Sequence, residues 1–422
     1  MEQTSNAKGW IVAFSGMSIN LALGILYAWS IFKQAITESI KANVPDGFHW
    51  DLVTVNDPYA LSCLTFAFAM IIGGRLQDKI GPRFTAMFGG VLVGSGFIIC
   101  SQTNSYALWI LGFGVLFGLG MGFGYGSATP PALKWFPPSK TGLIAGTVVA
   151  GFGLAPIYIA PLGTYLLGAY GLSKTMLFFG IGFTVVVCGL ANMLKNPPAG
   201  YVPGGVAPAP AAGTPAPAPV AAINLSPSQL LKTLDFYILW LAFFISAGAG
   251  LMVIGSIAGM AKASMGANAF IAVAVMAIGN AGGRVITGIV SDKIGRRNAL
   301  LIVLLFQAAL MIAATIVTSG QANPILLVLL ATFIGFNYGA NLCLFPSFTK
   351  DMWGLKNFGI NYGCLFTAWG VGGLVLVRLA EMLKASSGSF ISSFYTAAGL
   401  LTFAALLVVT LLKTKKAEEP VV

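Results

Sequence analysis

The chain has 422 residues, of which 57% are hydrophobic and 8% are charged, with a formal net charge of +11. A soluble domain carries about 25% charged residues, so this composition excludes a soluble globular protein and predicts a polytopic membrane protein. The basic residues are scattered over short loops. Membrane topology explains that distribution better than nucleic-acid binding does.

Twelve apolar runs are long enough to cross a bilayer, which takes about 20 helical residues. They predict an all-α membrane protein with twelve transmembrane helices. The first run is too long for the apolar part of a signal peptide, so we expect it to be retained. The approximate runs are 10–36, 59–77, 84–101, 107–133, 142–170, 175–194, 236–263, 267–291, 298–319, 324–347, 358–383 and 389–412.

The five cysteines lie in apolar runs, their number is odd, and their spacing matches no metal site. We therefore expect cysteines that pack in helices rather than disulfides, and neither a metal nor a cofactor.

A stretch rich in Ala, Pro and Gly separates the sixth run from the seventh and predicts a flexible linker. We expect residues 1–195 and 236–422 to form the two halves of the protein and residues 196–235 to join them. Near the end of this cytoplasmic linker, Ser226, Pro227 and Gln229 predict a capped short helix on the membrane surface, with an apolar side made by Leu230, Leu231 and Leu234. A plain juxtamembrane turn is the alternative.

Basic residues predict the orientation, because they are more frequent in cytoplasmic loops. With the N-terminus inside, 16 basic residues lie inside and 6 outside, which with Arg284 accounts for all 23. Both termini are then cytoplasmic, and the loop around Asp46, His49 and Asp51 is outside.

The two halves repeat a sequence motif. GRLQDKIGPR from Gly74 matches GIVSDKIGRR from Gly288 at an offset of 214, and GFGYG from Gly122 matches GFNYG from Gly335 at an offset of 213. Such repeats hold substrate between the halves, near the middle of the membrane. The glycines allow tight turns, and we expect the Asp and Arg residues to cap helix ends and to pair across the inner face. The matching positions are Gly74, Asp78, Gly81 and Arg83, then Gly288, Asp292, Gly295 and Arg297.

Arg284 lies deep in the eighth run, eight residues before Asp292. That is roughly 12 Å along a helix, in a hydrocarbon core about 30 Å thick. A cation there costs at least a few kcal/mol unless it faces a partner or a wet cavity. Every acidic residue lies at a run end, in a loop or in a tail. We predict that Arg284 binds an anionic substrate, with Asn280 one turn earlier on the same face; a buried ion pair is the alternative.

Further candidates for the substrate site come from their depth along the predicted helices. Tyr338, Asn337 and Asn341 lie at a depth comparable to that of Tyr125, in the repeat-related helix. For the aromatic residues plain packing is an equally good interpretation, and for Asn337 and its neighbour Asn341 an interhelical hydrogen bond is the leading alternative. The candidates are Asn20, Tyr27, Tyr125, Asn337, Tyr338, Tyr362 and Trp369.

The repeated G-x-x-x-D-x-x-G-x-[RK] motif resembles the loop motif of the major facilitator superfamily, where it is thought to hold the outward-open state. KWFPPSKTGLIAGTVVAGFG from Lys134 partly resembles the fifth-helix signature of the monocarboxylate transporter family. This stretch, LLKTLDFYILW and NAGGRVITGIVSDKIGR also resemble the oxalate/formate exchangers. The resemblance implies the superfamily's twelve-helix fold around a central cavity. In both groups an arginine matching Arg284 binds the substrate carboxylate.

Four departures from these families bear on the substrate. The first-helix signature is reduced to AKGW, LYAWSIF lacks the first-helix lysine of animal members, and Asn280 replaces their aspartate. Trp369 stands where oxalate/formate exchangers carry a lysine. A single fixed cation suits a monoanion.

The resemblance implies a proton-coupled secondary transporter of small monocarboxylates such as L-lactate or pyruvate, of the kind found in bacterial inner membranes. We expect a monomer whose partners are the monocarboxylate anion, the proton and the lipid bilayer. An exchanger of the oxalate/formate type is the alternative; a receptor or an enzyme is less favoured, since the sequence shows no signalling domain and no buried acid–base cluster. The proton could travel with the substrate, through water, or through Asp57 or Glu381.

Overall fold

The computed structural model describes residues 2–198, 200–203, 224–265, 269–318 and 323–412. Within these ranges, 11 helical stretches are long and apolar enough to cross a membrane. One of them, Thr141–Ala191, holds two helices divided at Gly171, whose φ of 74° no helix tolerates. Twelve helices result, so the predicted number is confirmed. Most of the Ala/Pro-rich linker, whose flexibility we predicted, lies outside the described residues.

We number the membrane helices α1 to α12 in chain order. α5 and α6 are the parts of Thr141–Ala191 before and after Gly171. The other helices are α1 (Ala7–Ala42), α2 (Asp57–Ile80), α3 (Pro82–Ser101), α4 (Tyr106–Trp135), α7 (Leu234–Met265), α8 (Ala269–Ile294), α9 (Arg296–Val317), α10 (Pro324–Trp353), α11 (Phe358–Ser387) and α12 (Ile391–Leu411).

Two of these helices are irregular in their membrane-spanning part. α1 contains a 3-10 turn at Gly24–Ala28, and α4 contains eight π-helical residues at Ile110–Phe117. Gly24 allows α1 to approach α5, because a Cβ atom there would lie 2.6 Å from the Phe152 carbonyl oxygen. Such irregular turns are often found at functional sites, and the turn in α1 carries Tyr27.

The first six helices (the N-half) meet the last six (the C-half) chiefly along two seams, α2 against α11 and α5 against α8. Glycine permits both contacts: a Cβ atom on Gly74 would overlap the Gly359 carbonyl, and one on Gly142 would overlap the Gly288 carbonyl. Small residues let helix backbones approach closely in a membrane. Each seam therefore depends on a glycine of the repeated motif.

The motif aspartates lock the halves together. Asp78 of α2 accepts hydrogen bonds from the backbone N–H groups of Gly359 (3.3 Å) and Ile360 (3.2 Å) at the start of α11. Asp292 of α8 accepts from two N–H groups at the start of α5, at 2.8 and 3.0 Å. A carboxylate is favourable at a helix N-terminus, and here each half caps a helix of the other. We call this end of the bundle the motif end.

The expected role of the motif arginines is wrong in one respect. The carboxylate of Asp292 pairs with Arg296, at 2.6 Å, and not with Arg297. Arg297 instead donates to the carbonyl groups of Val408 (3.3 Å) and Val409 (2.5 Å), near the end of α12, where helix carbonyls lack intrahelical partners. Arg83 lies over the Phe84 ring at 5.6 Å.

The capping box of the short helix Pro227–Leu230 is confirmed, since the side chains and N–H groups of Ser226 and Gln229 bond reciprocally. Of the three predicted apolar residues only Leu230 is buried, whereas Leu231 and Leu234 are 45% and 61% exposed. The preceding Leu225 donates to the Trp353 carbonyl at 3.0 Å. The end of the linker is thus attached to the C-half.

The five cysteines are free, as expected.

Candidate substrate site between the two halves

Arg284 lies at the α5–α8 seam with none of its side chain exposed. Its Nε atom donates to the Asn280 side-chain oxygen at 2.9 Å, and its Nη1 atom donates to the Val149 carbonyl of α5, in the other half. Its Nη2 atom has no hydrogen-bond partner. The ion pairs found among the described residues involve Arg296, so the alternative of a buried ion pair for Arg284 is not supported.

Glycines of α5 make room for the guanidinium. A Cβ atom at Gly153 would lie 3.3 Å from the Arg284 Nε atom and 3.2 Å from the Asn280 oxygen, and one at Gly146 would overlap the Arg284 carbonyl. On α8, Gly283 packs against the Phe336 backbone, which brings α10 close. A larger side chain at Gly153 would displace the guanidinium from its position.

A chain of hydrogen bonds crosses between the halves near Arg284. The hydroxyl groups of Tyr27 in α1 and Tyr338 in α10 lie 2.9 Å apart, and the Trp369 indole of α11 donates to the Tyr338 hydroxyl at 2.8 Å. Arg284 interacts electrostatically with both tyrosines, and its guanidinium also lies close to the Tyr27 hydroxyl. The structure therefore brings these three predicted residues together around the arginine.

Tyr125 of α4 and Tyr362 of α11 are also buried within the electrostatic reach of Arg284. Their hydroxyl groups interact with each other, but neither has a partner in good hydrogen-bond geometry. Leaving a buried hydroxyl group without a partner costs about 1–3 kcal/mol. A polar ligand that bonds to the hydroxyl group of Tyr125 or Tyr362 would remove that cost.

Sequence reasoning missed three phenylalanines that fill the space between these groups: Phe66 of α2, Phe152 of α5 and Phe366 of α11. Their ring centroids lie 5.5, 5.6 and 5.6 Å from that of Tyr125. Phe366 also stacks on Trp369 at 5.1 Å. Position alone could not identify them, since Phe68, two residues from Phe66, is 49% exposed on the outside of the bundle.

The predicted asparagines have different surroundings. Asn20 of α1 donates to the Val148 carbonyl of α5 at 2.9 Å, next to the carbonyl that Arg284 uses. Asn337 donates to Phe333 at 3.3 Å and Asn341 to Asn337 at 3.0 Å, both within α10. The amide groups of Asn337 and Asn341 therefore donate within α10, and not to another helix as the alternative interpretation predicted.

Comparison with known proteins identifies transporters. The chain is 27% identical over 369 residues to an uncharacterised transporter, YhjX, of Escherichia coli, covering 86% of each chain. It is 27% identical over 351 residues to the oxalate:formate antiporter of Oxalobacter formigenes, covering 82% of this chain and 77% of that one. It is 25% identical over 410 residues to human monocarboxylate transporter 11, covering 93% and 80%.

The fold agrees with solved transporter structures. The proton:xylose symporter XylE superposes with a TM-score of 0.68 over 97% of both chains, at 13% identity. The fucose:proton symporter FucP of E. coli superposes with a TM-score of 0.65 over 94% of this chain and 97% of its own, at 14% identity. These relatives and neighbours are transporters and not enzymes. The model of the Major Facilitator Superfamily matches residues 9–377, and the chain therefore belongs to that superfamily.

Proposed function

We propose that the protein transports small monocarboxylates, such as L-lactate or pyruvate, together with a proton. The observation that carries the proposal is the unpartnered Nη2 atom of Arg284, a fixed cation buried between the two halves. A guanidinium keeps its charge at any relevant pH and binds carboxylate through two parallel hydrogen bonds. The bound anion would engage Nη2 and would replace the Val149 carbonyl as the acceptor for Nη1.

The groups around Arg284 suit a short monoanion. The free hydroxyl groups of Tyr125 and Tyr362 would accept or donate to a polar substituent, and the ring of Phe152 would contact a short alkyl end. Trp369 fills the position at which a second cation would serve a dicarboxylate. The names of two relatives, an oxalate:formate antiporter and a monocarboxylate transporter, support the carboxylate class.

Transport would proceed by alternating access, as two six-helix halves, residues 1–195 and 236–422, rock about the site. The reciprocal caps at the motif end would break as that end opens. We place both termini and the motif end in the cytoplasm of a bacterium, in its inner membrane, because basic residues concentrate there. We propose that the transporter functions as a monomer.

Binding and uptake by arginine variants test the proposal. Arg284→Gln should abolish carboxylate binding and uptake into proteoliposomes, and Arg284→Lys should also be poor because an ammonium cannot make the paired contact. The exposed Arg378 of α11 provides a control, since Arg378→Gln removes the same charge away from the site. Full lactate uptake by Arg284→Gln at equal protein levels would refute the assignment.

Exchange of carboxylate anions without a proton is the second candidate, and the similarity to the oxalate:formate antiporter favours it. The two modes separate in one experiment. Proton coupling predicts that an inward proton gradient drives lactate accumulation, whereas exchange predicts uptake that follows internal carboxylate and ignores the imposed gradient.

A further inference from the structure

Buried polar atoms without partners are concentrated along the α2–α11 seam, where α4 joins it. Both side-chain atoms of Gln77 in α2, the hydroxyl of Thr129 in α4 and the side-chain oxygen of Asn361 in α11 are buried and make no hydrogen bond. Thr129 lies one helical turn from Tyr125 towards the motif end, and Gln77 directly precedes the capping residue Asp78. With the hydroxyl groups of Tyr125 and Tyr362, these groups extend from the level of Arg284 to the motif end.

At the same end, the buried polar groups of the α5–α8 seam have partners. Within the C-half, Arg296 bonds to Asp292 at 2.6 Å and to Asp351 at 2.8 Å. Across the seam, Asp292 accepts from two N–H groups of α5. The ammonium of Lys350, 9% exposed, donates to the Thr141 hydroxyl at 2.8 Å. At the α2–α11 seam the halves are joined by the two longer bonds to Asp78. The residue equivalent to Arg296, at 214 residues' offset, is Pro82, and Lys134 of α4 interacts electrostatically with Asp78 within the N-half.

The two seams therefore differ in the free energy needed to open them. A buried polar group without a partner destabilises the closed seam, and hydration removes that penalty when the seam opens. The charge-assisted hydrogen bonds that cross the α5–α8 seam, from two N–H groups of α5 to Asp292 and from Lys350 to Thr141, oppose opening there. Water therefore enters more readily between α2, α4 and α11.

We propose that the carboxylate passes between Arg284 and the motif end along a polar pathway formed by Thr129, Gln77 and Asn361, while the α5–α8 seam remains closed for longer. The proposal rests on the carboxylate-transport function, and it deepens that function by assigning the release route. The amide of Gln77 and the hydroxyl of Thr129 donate hydrogen bonds, which suits the passage of an anion that has left a guanidinium.

Cysteine labelling tests which seam becomes wet. Thr129→Cys and Gln77→Cys report on the proposed pathway, and Thr141→Cys reports on the other seam, where the native threonine is also fully buried. A membrane-impermeant maleimide is applied from the motif end without added substrate, and peptide mass spectrometry separates these sites from the five native cysteines. The proposal predicts labelling of Thr129→Cys about tenfold faster than Thr141→Cys, a ratio equivalent to about 1.4 kcal/mol. Equal rates, or faster labelling of Thr141→Cys, would overturn it.

Near-isosteric variants provide the second measurement. Thr129→Val and Gln77→Met remove unpartnered groups, so each should stabilise the closed seam and slow uptake about tenfold, within the range expected for one such group. Thr349→Val is the control, because the fully buried Thr349 hydroxyl is already bonded to the Phe345 carbonyl at 2.9 Å. Uptake by folded Thr129→Val and Gln77→Met at the rate of the unmodified protein would contradict the pathway. The labelling pattern does not require a known substrate, so a failure of the Arg284 test and a failure of this one are distinguishable.

Discussion

Replacing Asn280 by aspartate would put a carboxylate in direct competition with the substrate for Arg284. The Asn280 oxygen accepts from the Arg284 Nε atom at 2.9 Å, so the new charge would lie about 4 Å from the centre of the guanidinium. At an effective dielectric constant of about 20, this separation is worth about 4 kcal/mol. That is nearly a thousandfold in affinity. Desolvation of the new carboxylate offsets part of it, so we expect a loss of about tenfold to a thousandfold.

The assay is equilibrium binding of lactate to purified protein at neutral and alkaline pH, where the new carboxyl group is ionised. Asn280→Ala is the matched variant, because it removes the acceptor without adding charge and leaves Nε free for the anion. Its affinity should fall less than that of Asn280→Asp. The reasoning is refuted if Asn280→Asp binds lactate as tightly as the unmodified protein, or if both variants lose affinity equally.

Three further predictions follow from contacts described above. Trp369→Lys should weaken lactate transport and admit a short dicarboxylate such as malonate, because it places a second cation beside the site; a folded variant with unaltered preference in a binding assay would contradict this. Gly74→Ala should open the motif end and lower the thermal stability, since its Cβ atom would overlap the Gly359 carbonyl, whereas Gly282→Ala, with no atom within 4 Å, should leave the melting temperature nearly unchanged. Asp292→Asn should weaken closure more than Asp78→Asn does, because the bonds of Asp292 to the other half are shorter, at 2.8 and 3.0 Å against 3.3 and 3.2 Å for Asp78; equal cysteine labelling at the motif end in both variants would contradict this.

Hydropathy predicted the helices well because each membrane span must satisfy its own backbone, so that length and apolar character are sufficient signals. Arg284 could be identified from the sequence for a related reason, because a charged side chain inside the hydrocarbon core is costly and therefore rare. The repeat at Gly74 and Gly288 predicted two related halves whose aspartates cap helix ends. It could not show that each aspartate caps a helix of the opposite half.

The surroundings of Arg284 were predicted less completely. Phe66, Phe152 and Phe366 are indistinguishable by type from the phenylalanines that face lipid, so their role depends on helix rotation that hydropathy does not report. The acceptor for Nη1 is the carbonyl of Val149, and a backbone group has no signature in a side-chain pattern. Arg296 and Arg297 are adjacent in α9 and point in different directions around its axis. Which of them pairs with Asp292 therefore depends on how α9 is rotated about that axis.

The reciprocal caps at the motif end make its closure bivalent. Asp78 and Asp292 belong to different halves of one chain, and each accepts hydrogen bonds from the first N–H groups of a helix in the other half. When one contact breaks, the surviving contact keeps the separated partners at a high effective concentration, so the broken contact reforms quickly. Wide opening of the whole motif end therefore requires both contacts to be lost together. Loss of the Asp78 contact alone would open the α2–α11 seam only briefly, so a carboxylate leaving by that seam must pass before the contact reforms.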